Sequence, residues 1–189
     1  MGQLTFILGG ARSGKSAFGA RLADDGGSVL FVATAEAHDE GMRQRIEAHK
    51  RERPPNWDTL EEPTRLLATL DSAPRGHDVI LLDCLTLWVS NLLIRHEEDP
   101  AAALDMIDGE AERLLERIQD SDSDWIVISN EVGLGVVPPT AIGGVYRDAL
   151  GRVNQAFARQ ADTVYLMAAG LALDLKSLGA RPWGDYGAP

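Results

Sequence analysis

Leu4 to Ser16 reads LTFILGGARSGKS, a short apolar run that passes directly into Gly9, Gly10, Ala11, Arg12, Ser13, Gly14, Lys15 and Ser16 and then into a helix-forming stretch. Every fixed position of G-x-x-x-x-G-K-[ST] is filled, and the strand–turn–helix context is the one that makes this motif a phosphate cradle. Gly9 and Gly14 open backbone conformations closed to other residues, so successive N–H groups can point at phosphate oxygens at the positive end of a helix. Lys15 then reaches the terminal phosphates, and the hydroxyl of Ser16 is placed to hold Mg²⁺.

The rest of the chain repeats the rhythm. Apolar, β-branched-rich runs occur at Leu4 to Leu8, Val29 to Ala33, Val79 to Leu82, Trp125 to Ser129 and Thr163 to Met167. Helical stretches are expected at Lys15 to Asp24, Asp39 to Arg51, Thr64 to Leu70, Leu85 to Arg95, Ala101 to Gln119 and Val145 to Ala161. Continuous rather than alternating hydrophobicity marks strands covered on both faces, so the expectation is an α/β fold with a mostly parallel sheet flanked by helices. The third of these runs ends in Asp83. A carboxylate there stands at the sheet edge where open α/β sheets bind ligands, as a Mg²⁺ partner or as an ordinary helix N-cap.

Length and composition narrow the partners. A chain of 189 residues supports one full core, and neither an internal repeat nor an interdomain linker interrupts it. We expect one catalytic domain over residues 1–176 and a C-terminal tail over 177–189. A formal net charge of −11, from 29 acidic and 18 basic residues, disfavours nucleic acid and anionic membrane surfaces. The single cysteine, Cys84, excludes an internal disulfide and lies in an apolar run, where it packs. With no membrane-length apolar run and no basic-then-apolar start, a cytoplasmic protein is expected.

One histidine stands apart. Met42, Ile46 and His49 share a helical stripe, and Lys50, Arg51 and Arg53 follow immediately in a chain that is acidic overall. A lone histidine on such a stripe ordinarily borders a packed face. Three neighbouring cations instead create a field that favours a polyphosphate, beside an imidazole able to attack phosphorus. Trp57, Thr59 and Glu61 follow, and spacing alone does not separate core anchors from ligand contacts there.

In order along the chain stand GGARSGKS, ATAEAHDEGMRQRIEAHKRERPPNWDTLEEP, VILLDCLTLWVSNLL, SNEVGLGVVP and GRVNQAFARQADTVYLMAAGLALDLK. Together, from about Leu4 to Lys176, these resemble the bifunctional adenosylcobinamide kinases and adenosylcobinamide-phosphate guanylyltransferases of cobalamin biosynthesis. The resemblance implies a RecA-like P-loop NTPase fold, assembly as a homotrimer, and two reactions. ATP or GTP phosphorylates the arm hydroxyl of adenosylcobinamide; GTP then gives GMP to an enzyme histidine, and adenosylcobinamide phosphate collects it. The pattern R-I-x-x-H-[KR] falls on Arg45, Ile46, His49 and Lys50, which makes His49 the guanylylated residue. By the same matching the nucleotide contacts are Gly9 to Ser16, Ala33, Thr34, Ala35, Lys50, Arg51, Glu52, Arg53, Glu61 and Asp83, with Lys15 catalytic and Ser16 and Asp83 on the metal.

The NEVGLGVVP segment is expected either to line the site near the corrinoid or simply to close the sheet as a glycine-rich loop. Val153, Phe157 and Ala161 share a face suited to packing within or between subunits. The rival readings are a plain small-molecule P-loop kinase, with His49 only a helix-face residue, and a nucleotide-dependent switch with slow hydrolysis.

Overall fold

The computed structural model describes residues 2–185 apart from 26, 38 and 75. The side chain of Glu52 and residues 186–189 of the expected tail lie outside the described residues.

The elements run β1 (Leu4–Gly9), α1 (Lys15–Asp24), β2 (Val29–Ala33), α2 (Glu40–Glu52), β3 (Asp58–Glu61), α3 (Leu66–Ser72), β4 (Val79–Asp83), α4 (Leu85–Arg95), α5 (Pro100–Gln119), β5 (Asp124–Asn130), α6 (Ala141–Gln160), β6 (Thr163–Ala168) and β7 (Leu171–Asp174). The strands form one sheet in the order β3-β2-β4-β5-β1-β6-β7. All neighbours are parallel except β6 and β7. The carboxyl ends of β1, β2, β4 and β5 therefore open on the same edge, where residues 10–14, 34–39, 84 and 131–140 leave the sheet.

Alternate residues of the interior strands feed two cores. Phe6, Val32, Ile80, Leu82, Trp125 and Val127 pack with α3 to α6, while Ile7, Phe31, Val79, Leu81, Ile126 and Ile128 form a second, smaller cluster that includes Ala23 of α1. This two-sided burial is why the strands read as unbroken apolar runs. In α5, Ile107, Ala111, Leu114, Leu115 and Ile118 are buried, and Asp99 caps the helix by accepting from the Ala102 N–H. On α6, Val153 and Phe157 are buried, with Ala161 at its C-cap, so that face packs inside the subunit.

Two strands escaped the sequence reading. β3 is a four-residue edge strand, DTLE, whose burial is slight and whose composition is half acidic. β7 is an exposed antiparallel edge strand reached through Ala169 (φ 50°) and Gly170 (φ 80°). Edge strands lack the two-sided burial that makes the interior ones legible. Helix α6 begins four residues before the expected Val145 because Thr140 caps it, its hydroxyl accepting from the Gly143 N–H. The expected helix from Thr64 starts instead at Leu66, since Glu62 ties up the preceding turn.

Glu62 joins β3 to α3. Its carboxylate accepts from the N–H groups of Thr64 and Arg65 and from the Thr69 hydroxyl. Burial alone would raise its pKa, but those hydrogen bonds outweigh it and hold the carboxyl below the usual range. A depressed carboxylate pKa adds stability above the unfolded value, and that stability is lost as pH falls through the folded one. Glu62→Gln is therefore expected to lower the urea midpoint at neutral pH and to converge with wild type once the pH has fallen through the carboxyl's lowered folded value. A constant difference at every pH, measured by urea titration, would contradict this.

Candidate nucleotide site at the carboxyl edge of the sheet

The phosphate loop is built around two glycines. A Cβ on Gly9 would lie 2.3 Å from the Met167 carbonyl oxygen on the neighbouring strand β6, so any side chain there would push β1 and its loop away. Gly14 adopts φ 97° as the N-cap of α1, and no side chain caps that end. The first turn of α1 thus presents its positive end to the space above the sheet. Ser13 is buried, and its carbonyl accepts from the Gly170 N–H, tying the β6–β7 turn to the loop. Arg12 is exposed and holds φ 57°.

Lys15 is buried, its Nζ donating to the Gly10 carbonyl at 2.7 Å with the Ser13 hydroxyl 3.5 Å away. Burial holds its pKa below the ordinary lysine value; Cys84 and Asp83 oppose that shift, and the Arg45 guanidinium adds to it. This ammonium is thus poorly solvated and close to Asp83 and to α2. An arriving phosphate would add a direct anionic partner to the more distant charge of Asp83.

Asp83 ends β4 half-buried beside the phosphate loop. It does not cap α4, whose N-cap is Cys84 with no side-chain cap bond, so its carboxylate is not consumed by the helix. Cys84 is half-buried overall, but desolvation of its thiol pushes it up to about 12 and leaves it inert. The Thr34 hydroxyl, expected among the nucleotide contacts, donates to the Cys84 carbonyl at 2.7 Å and accepts from the Cys84 N–H at 2.9 Å. Asn91 of α4 donates to the carbonyls of Thr34 and Pro63. The side chain of Thr34 therefore locks the tips of β2 and β4 together and fixes Asp83 from behind. Ala33 is buried at the end of β2, while Ala35 is half-buried one residue beyond Thr34.

Helix α2 brings the cations. It is capped by Asp39, which accepts from the Met42 N–H at 2.7 Å, and none of its described side chains is fully buried. Met42, Ile46 and His49 are half-buried along one stripe. Arg45, whose charge acts on Lys15, stands four residues before His49 on the same helical face. Lys50 pairs with Glu61 at 2.7 Å, and that hydrogen bond raises the lysine's pKa. Arg53 lies over the Phe31 ring, 3.8 Å from its centroid, and Phe31 stacks on Trp57 with centroids 6.3 Å apart. Burial lowers the Arg53 pKa, opposed by Glu61 and Asp83, and its Nε is buried without a hydrogen-bond partner. Lys50, Arg53, Pro54, Pro55, Trp57, Thr59 and Glu61 line a cavity of about 330 Å³. A buried guanidinium nitrogen with no acceptor, next to an aromatic wall, suits a ligand that offers both oxygen atoms and a flat ring.

Most of the expected site residues therefore meet at one edge. Arg51 is the exception, exposed and donating back to the Glu47 carbonyl of its own helix. Phe31 and Asn91 were not anticipated: Phe31 reads as core within an apolar strand, whereas an amide in the apolar helix α4 was a usable signal. Among the described residues no group of three or more His, Cys, Asp or Glu side chains could hold a metal ion. The hydroxyl of Ser16 and the carboxylate of Asp83 are hard oxygen donors, which fits Mg²⁺, an ion that takes few protein ligands and completes its shell with substrate phosphates and water.

A parallel sheet with a glycine-rich loop and lysine at the tip of β1, and a carboxylate at the tip of β4, defines a P-loop nucleotide-binding fold. The family model for cobinamide kinase / cobinamide phosphate guanyltransferase matches residues 5–175, and the chain belongs to that family. It is 46% identical over 171 residues to the bifunctional adenosylcobalamin biosynthesis protein CobP of Pseudomonas aeruginosa, covering 90% of this chain and 95% of the relative. It is 40% identical to the bifunctional adenosylcobalamin biosynthesis protein CobU of Salmonella typhimurium over 182 residues, 92% of this chain and 99% of the relative. The Escherichia coli protein of the same name is 34% identical over 180 residues, with the same coverage of both chains.

Thr34→Val keeps the shape but leaves the part-buried Cys84 N–H without its partner and the Cys84 carbonyl with the Trp88 N–H alone. The expected cost is about 1–3 kcal/mol of stability, together with weaker nucleotide turnover through a displaced Asp83. Chemical denaturation and steady-state kinetics of this variant check both, and unchanged kinetics would remove Thr34 from the site's support.

Proposed function

We propose that this chain is a two-step transferase of cobalamin biosynthesis. It phosphorylates the arm hydroxyl of adenosylcobinamide with ATP or GTP, then moves GMP from GTP through His49 to adenosylcobinamide phosphate, giving adenosylcobinamide-GDP and pyrophosphate. The observation that carries the histidine step is the placement of α2, with Arg45 acting on Lys15, His49 one turn further along the same face, and Lys50 and Arg53 at the adjoining cavity.

In the first reaction the arm hydroxyl oxygen attacks the terminal phosphorus, the bond to the bridging oxygen breaks, the nucleoside diphosphate leaves and the hydroxyl proton is released. The N–H groups at the start of α1 and the Lys15 ammonium take up charge on the transferring phosphoryl group. In the second, a ring nitrogen of His49 attacks the α-phosphorus of GTP, breaking its bond to the bridging oxygen and releasing pyrophosphate. A phosphate oxygen of the acceptor then attacks that phosphorus, breaks the phosphorus–nitrogen bond and restores the imidazole. Two displacements replace one encounter between polyanions, and the first has an uncharged nucleophile. Ser16 and Asp83 would hold Mg²⁺, which when bound neutralises charge on the phosphates.

Residues 1–176 serve in this reading as one catalytic domain, with residues 177–189 as a C-terminal tail to which no role is assigned. Homotrimeric assembly and a cytoplasmic location complete the proposal; no described helix is long and apolar enough to cross a membrane.

The test is incubation with Mg²⁺ and GTP labelled at the α-phosphate, then denaturation. Wild type is expected to carry label that acid releases and base does not, and His49→Ala none. Unlabelled wild-type protein that still phosphorylates cobinamide would favour the plain kinase instead.

A further inference from the structure

We propose that the link from β5 to α6, Val132 to Ile142, is the face on which the corrinoid acceptor seats its macrocycle, holding the reactive arm over the phosphate loop; this rests on the function proposed above. The link starts at that loop. Asn130 at the end of β5 pairs in register with Gly9, and the Glu131 N–H donates to the Gly9 carbonyl at 3.0 Å. The start of the link is therefore next to the phosphate loop.

Its chemistry is the opposite of the other flank. Val132 to Ile142 reads VGLGVVPPTAI, without a charged residue, and the next cation along the chain is Arg147. Leu134 is 88% exposed, Val136 95% and Val137 69%. On the flank formed by β2, β3 and α2, Lys50 and Arg53 line the cavity that suits an anionic, ring-bearing ligand. A link with no cation has nothing to offer a polyphosphate, but it offers apolar area to a wide, largely uncharged macrocycle bearing methyl groups and amides. The two substrates of one transfer then meet different surfaces along one sheet edge, the acceptor at the link beside β1 and the nucleotide at the β2–β3 end.

Both ends of the link are fixed. The Thr86 hydroxyl accepts from the Asn130 N–H at 2.7 Å, and Asn154 donates to the Asn130 carbonyl while accepting from the Ser129 hydroxyl. At the far end Pro138 packs so closely on Gly143 that a Cβ there would lie 2.7 Å from the proline's. Exposed apolar side chains are thus presented from an anchored frame beside the reacting centre, which is the form of a binding surface.

The experiment compares wild type with the double variant Leu134→Ser, Val136→Ser and with the conservative pair Leu134→Met, Val136→Ile. Equilibrium dialysis against cobinamide, read from the corrinoid's own colour, measures acceptor binding without turnover. The serine pair is expected to weaken it by about tenfold or more, since each apolar side chain removed from contact is worth at least that factor. The conservative pair should bind as wild type does. In the kinase assay the serine pair raises KM for cobinamide and spares kcat, while label taken from GTP alone and the sedimentation coefficient stay at wild-type values. Unchanged cobinamide binding overturns the proposal. So does a serine pair that sediments as a smaller species, because the face would then be a contact between copies of the chain. If wild type takes no label from GTP, the histidine step falls, and the dialysis still decides the role of the link.

Discussion

The structure depends on how closely the tip of β1 can approach β6. Gly9 rests against the Met167 carbonyl at a distance no side chain tolerates, and only there does β1 deliver Gly10 to Gly14 to the edge of the sheet. The consequences spread outward. Glu131 bonds to the Gly9 carbonyl, Gly170 bonds to the Ser13 carbonyl, and the uncapped start of α1 faces the same space. One missing Cβ thus sets the positions of the phosphate loop and of the two connections flanking it.

Around that point, charge is distributed against the chain's overall balance. With 29 acidic and 18 basic residues the protein as a whole repels anions, yet α2 and the turn after it carry Arg45, Lys50 and Arg53 to the nucleotide side. These cations are held by particular neighbours: Lys50 by Glu61, Arg53 by the Phe31 ring. Because none of the described side chains of α2 is fully buried, its place beside the loop owes more to these polar and cation–π contacts than to a hydrophobic seam.

The interior of the fold was legible because physics writes it in unbroken apolar runs. The five buried strands and the cradle at Gly9 to Ser16 could be read directly, and Asp83 followed from its place at a strand end. The edge strands β3 and β7 could not, since four exposed residues with mixed polarity carry no period. At the site, residue types announced Lys15 and the cations near His49, but roles that depend on three-dimensional contact stayed hidden. Thr34 sits where a ligand contact was expected, yet its hydroxyl is spent on Cys84. Phe31 looked like ordinary core until Arg53 was found lying across it. Sequence pattern reports burial and local chemistry; it does not report which side chain across the sheet will claim a hydrogen bond.

The central claim is that GMP travels by two displacements with His49 between them. GTP made chiral at the α-phosphorus, with sulfur and an oxygen isotope in place of ordinary oxygens, tests this through the configuration of the adenosylcobinamide-GDP formed. Each in-line displacement inverts phosphorus, so the account predicts overall retention. Inversion would mean a single direct transfer from GTP to the acceptor and would contradict a covalent histidine intermediate.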